Sequence, residues 1–121
     1  MNSIILMHKN PNTLYTYWTF DDNLNENFDN RNFGFSWNES RLALKVINLS
    51  LKTSFFASIN DLTAQWYIDI KHPNSSYKVE IGRLFNDNFI KFCESNECYV
   101  PTNSYIYDSN KDITFKNINL L

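Results

Sequence analysis

Large apolar and polar residues alternate with period two in several short runs of this chain. In "LYTYWTF" Leu14, Trp18 and Phe20 fall on one side and Tyr15, Tyr17 and Thr19 on the other, which is the pattern of a half-buried strand. Upstream, Ile4 to His8 is a short apolar run, joined to it by Asn10-Pro11-Asn12, where proline presets one dihedral of a turn. In "RLALKVIN" Leu42, Leu44, Val46 and Asn48 alternate with Arg41, Ala43, Lys45 and Ile47, and a shorter strand is predicted around Thr53 to Ser58. "NFIKFCESN" supplies another, with Ile90 and Phe92 inward, and "CYVP" a last short extended piece. One segment departs from the pattern. Residues 21–31 place Leu24 and Phe28 one turn apart, with Asp21 or Asp22 able to cap a helix start. Asparagine is a poor helix former, so this helix should be short and held by packing. "GFSWNES" then reads as a loop, with Trp37 tucked under it or half exposed.

The stretch "QWYIDIKHPNSSYKVEIG", Gln65 to Gly82, has the look of a β-hairpin closed by "HPNS". Facing Ile70 with Tyr77, Ile68 with Val79 and Trp66 with Ile81 puts all six on the apolar side. The same register sets Asp69 opposite Lys78 and Tyr67 opposite Glu80 on the other side. At Gly82 the alternation stumbles, because Arg83 falls where an apolar residue is expected, and a glycine at such a point suggests a β-bulge. Seven or eight short strands with regular turn signals and one small helix near residues 21–31 predict a mostly β, antiparallel sandwich. A single domain is expected over residues 1–101, with 102–121 as an edge strand or tail.

Composition changes this picture little. At 121 residues the chain is long enough for one core. With 17% aromatic residues, Phe, Tyr and Trp supply much of its volume. Only two glycines occur, and the abundant asparagines stand in for them at turns, because Asn tolerates left-handed backbone. A net charge of −2 without a basic cluster argues against nucleic-acid binding. No apolar run is long enough for a transmembrane helix or a secretory leader, so no membrane association is expected and the location is read as cytoplasmic. Cys93 and Cys98 with His8 and His72 have the wrong spacing for a zinc knuckle. Two reduced, structural thiols and no cofactor are expected.

Candidate chemistry is sparse. Asp69, Glu80, Asp87 and Glu94 lie on the predicted hairpin system, but Lys78 beside Asp69 reads as a neutralising partner rather than part of a catalytic carboxylate pair. Cys93 would need a lowered pKa to act as a nucleophile, and two glycines leave no phosphate-cradling loop. The chain is therefore expected not to be an enzyme. Binding through surface aromatics is the better reading. Tyr67, Tyr17 and Trp37 are the main aromatic candidates, with Tyr15 and Tyr99 beside them, and Glu80 and Asn96 as polar partners. Each has a plain structural alternative: the tyrosines as half-buried sheet residues, Asn96 as a turn residue bonded to its own backbone. Two functions follow. One is a non-catalytic module binding a carbohydrate or similar polar ligand by stacking. The other is a protein-interaction domain using a sheet edge or the C-terminal "ITFKNINLL" segment.

Three motifs in this order, "NPNTLYTYW", "WYIDIKHPNSSYKVEIG" and "SNECYVP", carry a resemblance. The chain resembles the bacterial domain-of-unknown-function family 4912, over about Ile4 to Pro101. Pro11, Tyr17, Trp18, Trp66, Tyr67, Tyr77, Gly82, Ser95, Asn96 and Pro101 match its pattern. Asn10 stands where an Asp before the Pro is usual, and "LALKVIN" where an Arg and a Tyr-Asp pair are more typical. The resemblance implies a compact immunoglobulin-like β-sandwich and carries no activity with it.

Overall fold

Pro11 and Asn12 do turn the chain, with the Asn10 side chain accepting the Asn12 N–H at 2.9 Å. The turn joins β1 (Ser3–Asn10) to β2 (Thr13–Thr19). The structure, a computed structural model, describes residues 1–102. After β2 come α1 (Leu24–Arg31), β3 (Arg41–Asn48), β4 (Thr53–Ser58), β5 (Gln65–Asp69), β6 (Ser75–Phe85), β7 (Asn88–Glu94) and β8 (Cys98–Val100). Two antiparallel sheets result, β1-β2-β5 and β4-β3-β6-β7, and β8 pairs with the start of β6. The expected antiparallel sandwich with one short helix is present. Within it β4 lies beside β3, whereas a constant-type immunoglobulin domain places its fourth strand beside the fifth. The extension expected beyond residue 101 lies, apart from Thr102, outside the described residues.

The inner faces are those the alternation predicts. Ile4, Leu6, Leu14, Trp18 and Ile68 from one sheet meet Leu42, Leu44, Val46, Tyr77, Val79 and Ile81 from the other. Burying each large apolar side chain contributes roughly 1.5–3 kcal/mol before entropy is counted. Thr16 sits fully buried among them, its hydroxyl donating to the Ile5 carbonyl at 2.7 Å, so no polar atom is stranded.

The expected Gln65–Gly82 hairpin is wrong. β5 pairs with β2, setting Tyr67 against Tyr15 and Ile68 against Leu14, while β6 pairs with β3 in the opposite sheet. Residues 70–74 cross between the layers, with Ile70 donating to the Asn12 carbonyl and Asn74, at φ 58°, donating to Val100. The reason for the error is physical. Period-two alternation identifies which side of a strand is buried, and both inner faces of a sandwich share one core. Ile68, Ile70, Tyr77, Val79 and Ile81 are therefore buried in either arrangement. Only the neighbours change. Asp69 does not face Lys78, and Tyr67 does not face Glu80.

The helix begins later than expected, and neither Asp21 nor Asp22 caps it. Asn23 holds the cap position without a side-chain hydrogen bond, and the Asp21 carboxylate pairs with the N-terminal ammonium instead. At the other end Asn32 closes the helix in a left-handed conformation, φ 53°. Asn74 and Asn86 adopt the same conformation at other turns, as the glycine-poor composition requires.

A bulge does occur at Gly82, but on the partner strand. Ile81 pairs with Cys93 and Gly82 with Lys91, so Phe92 is the extra residue. β6 itself keeps its phase, and Arg83 points inward where its position demands.

Candidate functional site

The outer face of the β1-β2-β5 sheet presents its side chains in registered rows. Met7 pairs with Tyr15 and Tyr15 with Tyr67, while Ile5 pairs with Tyr17 and Tyr17 with Gln65. Each row is one side chain per strand, because the antiparallel register places these residues directly opposite. Tyr17, Tyr67, Ile5 and Met7 are all exposed, Tyr67 most at 54%. The Tyr15 ring lies 5.0 Å from Tyr67 and 5.9 Å from Tyr17, tilted 43° and 35° to them. Its hydroxyl donates to the Gln65 side-chain carbonyl. Lys9 holds its ammonium 4.8 Å from the Tyr67 ring centroid, a cation–π contact at an exposed site worth about 0.5–1 kcal/mol. Below the tyrosines Thr13 pairs with Asp69. Three tyrosines, an amide, an ammonium and a carboxylate thus share one surface. Its chemistry is stacking and hydrogen bonding.

Of the five residues singled out from the sequence, only Tyr17 and Tyr67 come together here. Glu80 is on the outer face of the other sheet, where Lys78, Glu94, Lys91 and Glu80 form a chain of ion pairs at 3.5, 2.9 and 3.5 Å. Hydrogen bonding and charge between Lys91 and Glu94 raise the Lys91 pKa and hold Glu94 below the usual carboxylate range. Both carboxylates are thus paired with lysines on this face.

Trp37 is packed into an aromatic cluster, away from the tyrosine face. Its ring lies nearly parallel to Phe92 at 5.9 Å and edge-on to Phe28, under α1. Above it sits the Arg83 guanidinium, 4.1 Å from the ring centroid and 1% exposed. Arg83 donates to the Ser40 hydroxyl and carbonyl, the Trp37 carbonyl and the Asp61 carboxylate. A buried charge so fully bonded ties the 36–40 loop, the Asp61 turn and β6 into one unit. An arginine at an inward position of an apolar strand was the available signal.

Asn96 does bond its own turn, donating to the Glu97 carbonyl at 3.2 Å, and it reaches β1 as well. Its side chain accepts the Leu6 N–H and donates to the Leu6 carbonyl, both at 2.9 Å. The amide imitates a neighbouring strand along the edge of β1 and so joins the two sheets. We expect Asn96→Ala to lower stability by about 1–3 kcal/mol, since it strands two backbone groups. Urea denaturation measures this, and Asn96→Asp, which keeps the acceptor alone, should fall between the two. Ser95 adds a related contact that sequence reading missed, its hydroxyl accepting the Val79 N–H at 2.9 Å.

Among the described residues no group of three or more His, Cys, Asp or Glu is placed to hold a metal ion. Cys93 and Cys98 are unpaired thiols, and burial pushes both pKa values up, the opposite of an activated nucleophile. No helix among the described residues is long and apolar enough to cross a membrane.

The surface and its supports can be set beside known proteins. No curated protein matches the chain. The model of one family, Domain of unknown function (DUF4912), matches residues 1–111, ten residues beyond the motif span at Pro101. The motif residues have distinct structural duties: Trp18 and Tyr77 in the core, Asn96 on β1, Tyr17 and Tyr67 on the open face. With the match spanning nearly the whole sequence, the chain belongs to the DUF4912 family.

Proposed function

We propose that this domain is a non-catalytic recognition module and that it binds a carbohydrate chain on the outer face of the β1-β2-β5 sheet. The observation that carries the reading is the cluster of Tyr15, Tyr17 and Tyr67, with ring centroids 5.0 and 5.9 Å apart and the Gln65 amide at its edge. Aromatic rings stack on the apolar C–H faces of sugars, and amide and hydroxyl groups take their hydroxyls. The mutual tilts of 43° and 35° do not suit a flat crystalline polysaccharide. They suit a single soluble chain, whose successive rings are themselves rotated.

A second reading is a protein partner on the same face. Ile5 and Met7, 40% and 44% exposed, extend the tyrosines into a continuous apolar strip that a sugar would not need.

Affinity electrophoresis in gels containing soluble starch or soluble β-glucan separates the two. Tyr67→Ala removes only an exposed ring and should leave the melting temperature close to wild type. We expect wild type to be retarded in at least one gel and Tyr67→Ala to run free. A wild type unretarded in every gel, or a variant retarded equally, removes the carbohydrate reading. The protein reading instead predicts that Ile5→Asp abolishes pull-down of a partner which free oligosaccharide does not displace.

A further inference from the structure

The outer strands of the two sheets are β1, β5, β4 and β7. An exposed edge invites pairing with another chain, and most edges carry some defence against it. Here β1 is bonded at Leu6 by the Asn96 side chain, β7 is bulged at Phe92 and carries Lys91, and β5 is short and ends on Asp69. β4 has no such device. Its sequence, Thr-Ser-Phe-Phe-Ala-Ser, includes no charge and no proline, and it pairs with β3 without a register shift. Among the described residues only β3 runs beside it.

The direction of its backbone groups follows from one hydrogen bond. Ile59, just past β4, donates its N–H to the Leu42 carbonyl at 3.1 Å. These groups alternate in direction along an antiparallel strand, so Phe55 and Ala57 turn theirs toward β3. Ser54, Phe56 and Ser58 turn theirs away from the sheet. Side chains alternate as well. Phe55 stands on the inner side, opposite Val46, yet is 47% exposed. Phe56 stands on the outer side, 44% exposed, with its ring 5.3 Å from Phe89. A row of backbone donors and acceptors that no described strand takes up is thus flanked by an exposed ring on each side.

We infer that β4 is a dimerisation edge and that its partner is β4 of a second copy of this chain, added antiparallel about a twofold axis at Phe56. Such an axis requires the edge to complement itself, and this edge does. The register sets Ser54 opposite Ser58 of the copy and Phe56 opposite its own counterpart, all with their outward backbone groups facing, which gives about six hydrogen bonds. On the inner side Phe55 meets Ala57, a large side chain against a small one. The ends match in charge. Lys52 precedes the strand and Asp61, 47% exposed, follows it, so each Lys52 comes beside the Asn60–Asp61 turn of the copy. β4 belongs to the sheet opposite the tyrosine face, so this pairing leaves that face open and stands independently of the carbohydrate reading.

Analytical ultracentrifugation of the full chain and amide hydrogen exchange read by NMR, both across a dilution series, test the inference. The protein should associate with rising concentration to a dimer and no further. The Ser54, Phe56 and Ser58 amides should be protected in the dimer and lose that protection on dilution, while the Phe55 and Ala57 amides, turned toward β3, exchange slowly throughout. Phe56→Lys sets two like charges directly opposite each other and should weaken the dimer by more than about tenfold. Should that variant not fold, the alternating exchange pattern of the wild type decides alone. A protein that stays monomeric up to millimolar concentration overturns the inference. So does a dimer that leaves exchange at Ser54, Phe56 and Ser58 unchanged, because another surface then pairs. Protection of these amides that persists in the monomer overturns it too, since another segment of the same chain then covers the edge. A folded Phe56→Lys protein that dimerises as tightly as wild type has the same consequence.

Discussion

Gly82→Ala is expected to destabilise the domain by more than about 3 kcal/mol, above the ordinary cost of overpacking. A Cβ at residue 82 would lie 1.9 Å from the Ile90 carbonyl oxygen and 2.8 Å from its carbon. Both are backbone atoms of β7, so no side-chain rotation relieves the clash. The close approach comes from the bulge, which draws β7 inward as Phe92 is looped out of register between Lys91 and Cys93. Phe92 is what the bulge positions, for its ring closes on Phe20, Phe28 and Trp37. Loss of the bulge should therefore loosen α1 along with β7. Gly34 offers the contrast. It sits at φ +97° with nothing within 4 Å of its missing Cβ, so substitution there is opposed by backbone strain alone. Thermal and urea denaturation measure the effect, and a Gly82→Ala protein as stable as wild type would contradict the described pairing of β6 with β7.

Arg83→Leu should cost a comparable amount, about 3–5 kcal/mol, the range for removing one partner of a buried ionic network. The ion pair itself is the smaller part. Asp61 is 47% exposed and can be hydrated once the guanidinium is gone. The Ser40 carbonyl loses its Arg83 bond at 2.6 Å, while the Trp37 carbonyl keeps the Ser40 hydroxyl and N–H as donors. The Trp37 ring also loses its cation–π contact. Arg83→Lys keeps the charge but not the planar fork, and a single ammonium cannot reach four acceptors on two separate segments. It should recover less than half of the lost stability. Equilibrium denaturation followed by Trp fluorescence reads both variants, and a lysine variant equal to wild type would refute the role given to the fork.

These two residues show where sequence reading reaches and where it stops. Local signals were sound. Alternation named the inward sides of β2, β3 and β6, and asparagines take the left-handed turns at residues 32, 74 and 86. Gly82 marked a bulge. What failed was everything that depends on a neighbour far along the chain. The hairpin at residues 65–82 was misread because its alternation is equally satisfied when β5 joins β2 and β6 joins β3. The same misreading placed Tyr67 beside Glu80, and the correct pairing places it beside Tyr15. Trp37 looked available because its loop is polar, yet Arg83, 46 residues on, claims it. Asn96 reaches across 90 residues to Leu6. Side chains that serve a distant backbone leave no periodic trace. The tyrosine face itself was half legible: Tyr15, Tyr17 and Tyr67 had the right parity, and only the order of strands brings them together.

We propose above that carbohydrate binds on the β1-β2-β5 face. Backbone chemical-shift mapping of 15N-labelled protein with soluble malto- and cello-oligosaccharides tests it most directly. Saturable shifts are expected on β1, β2 and β5, centred on Tyr15, Tyr17, Gln65 and Tyr67 and absent in Tyr67→Ala. The proposal is contradicted if no oligosaccharide shifts these residues, or if the shifts fall on the opposite sheet around Lys78, Glu80 and Glu94.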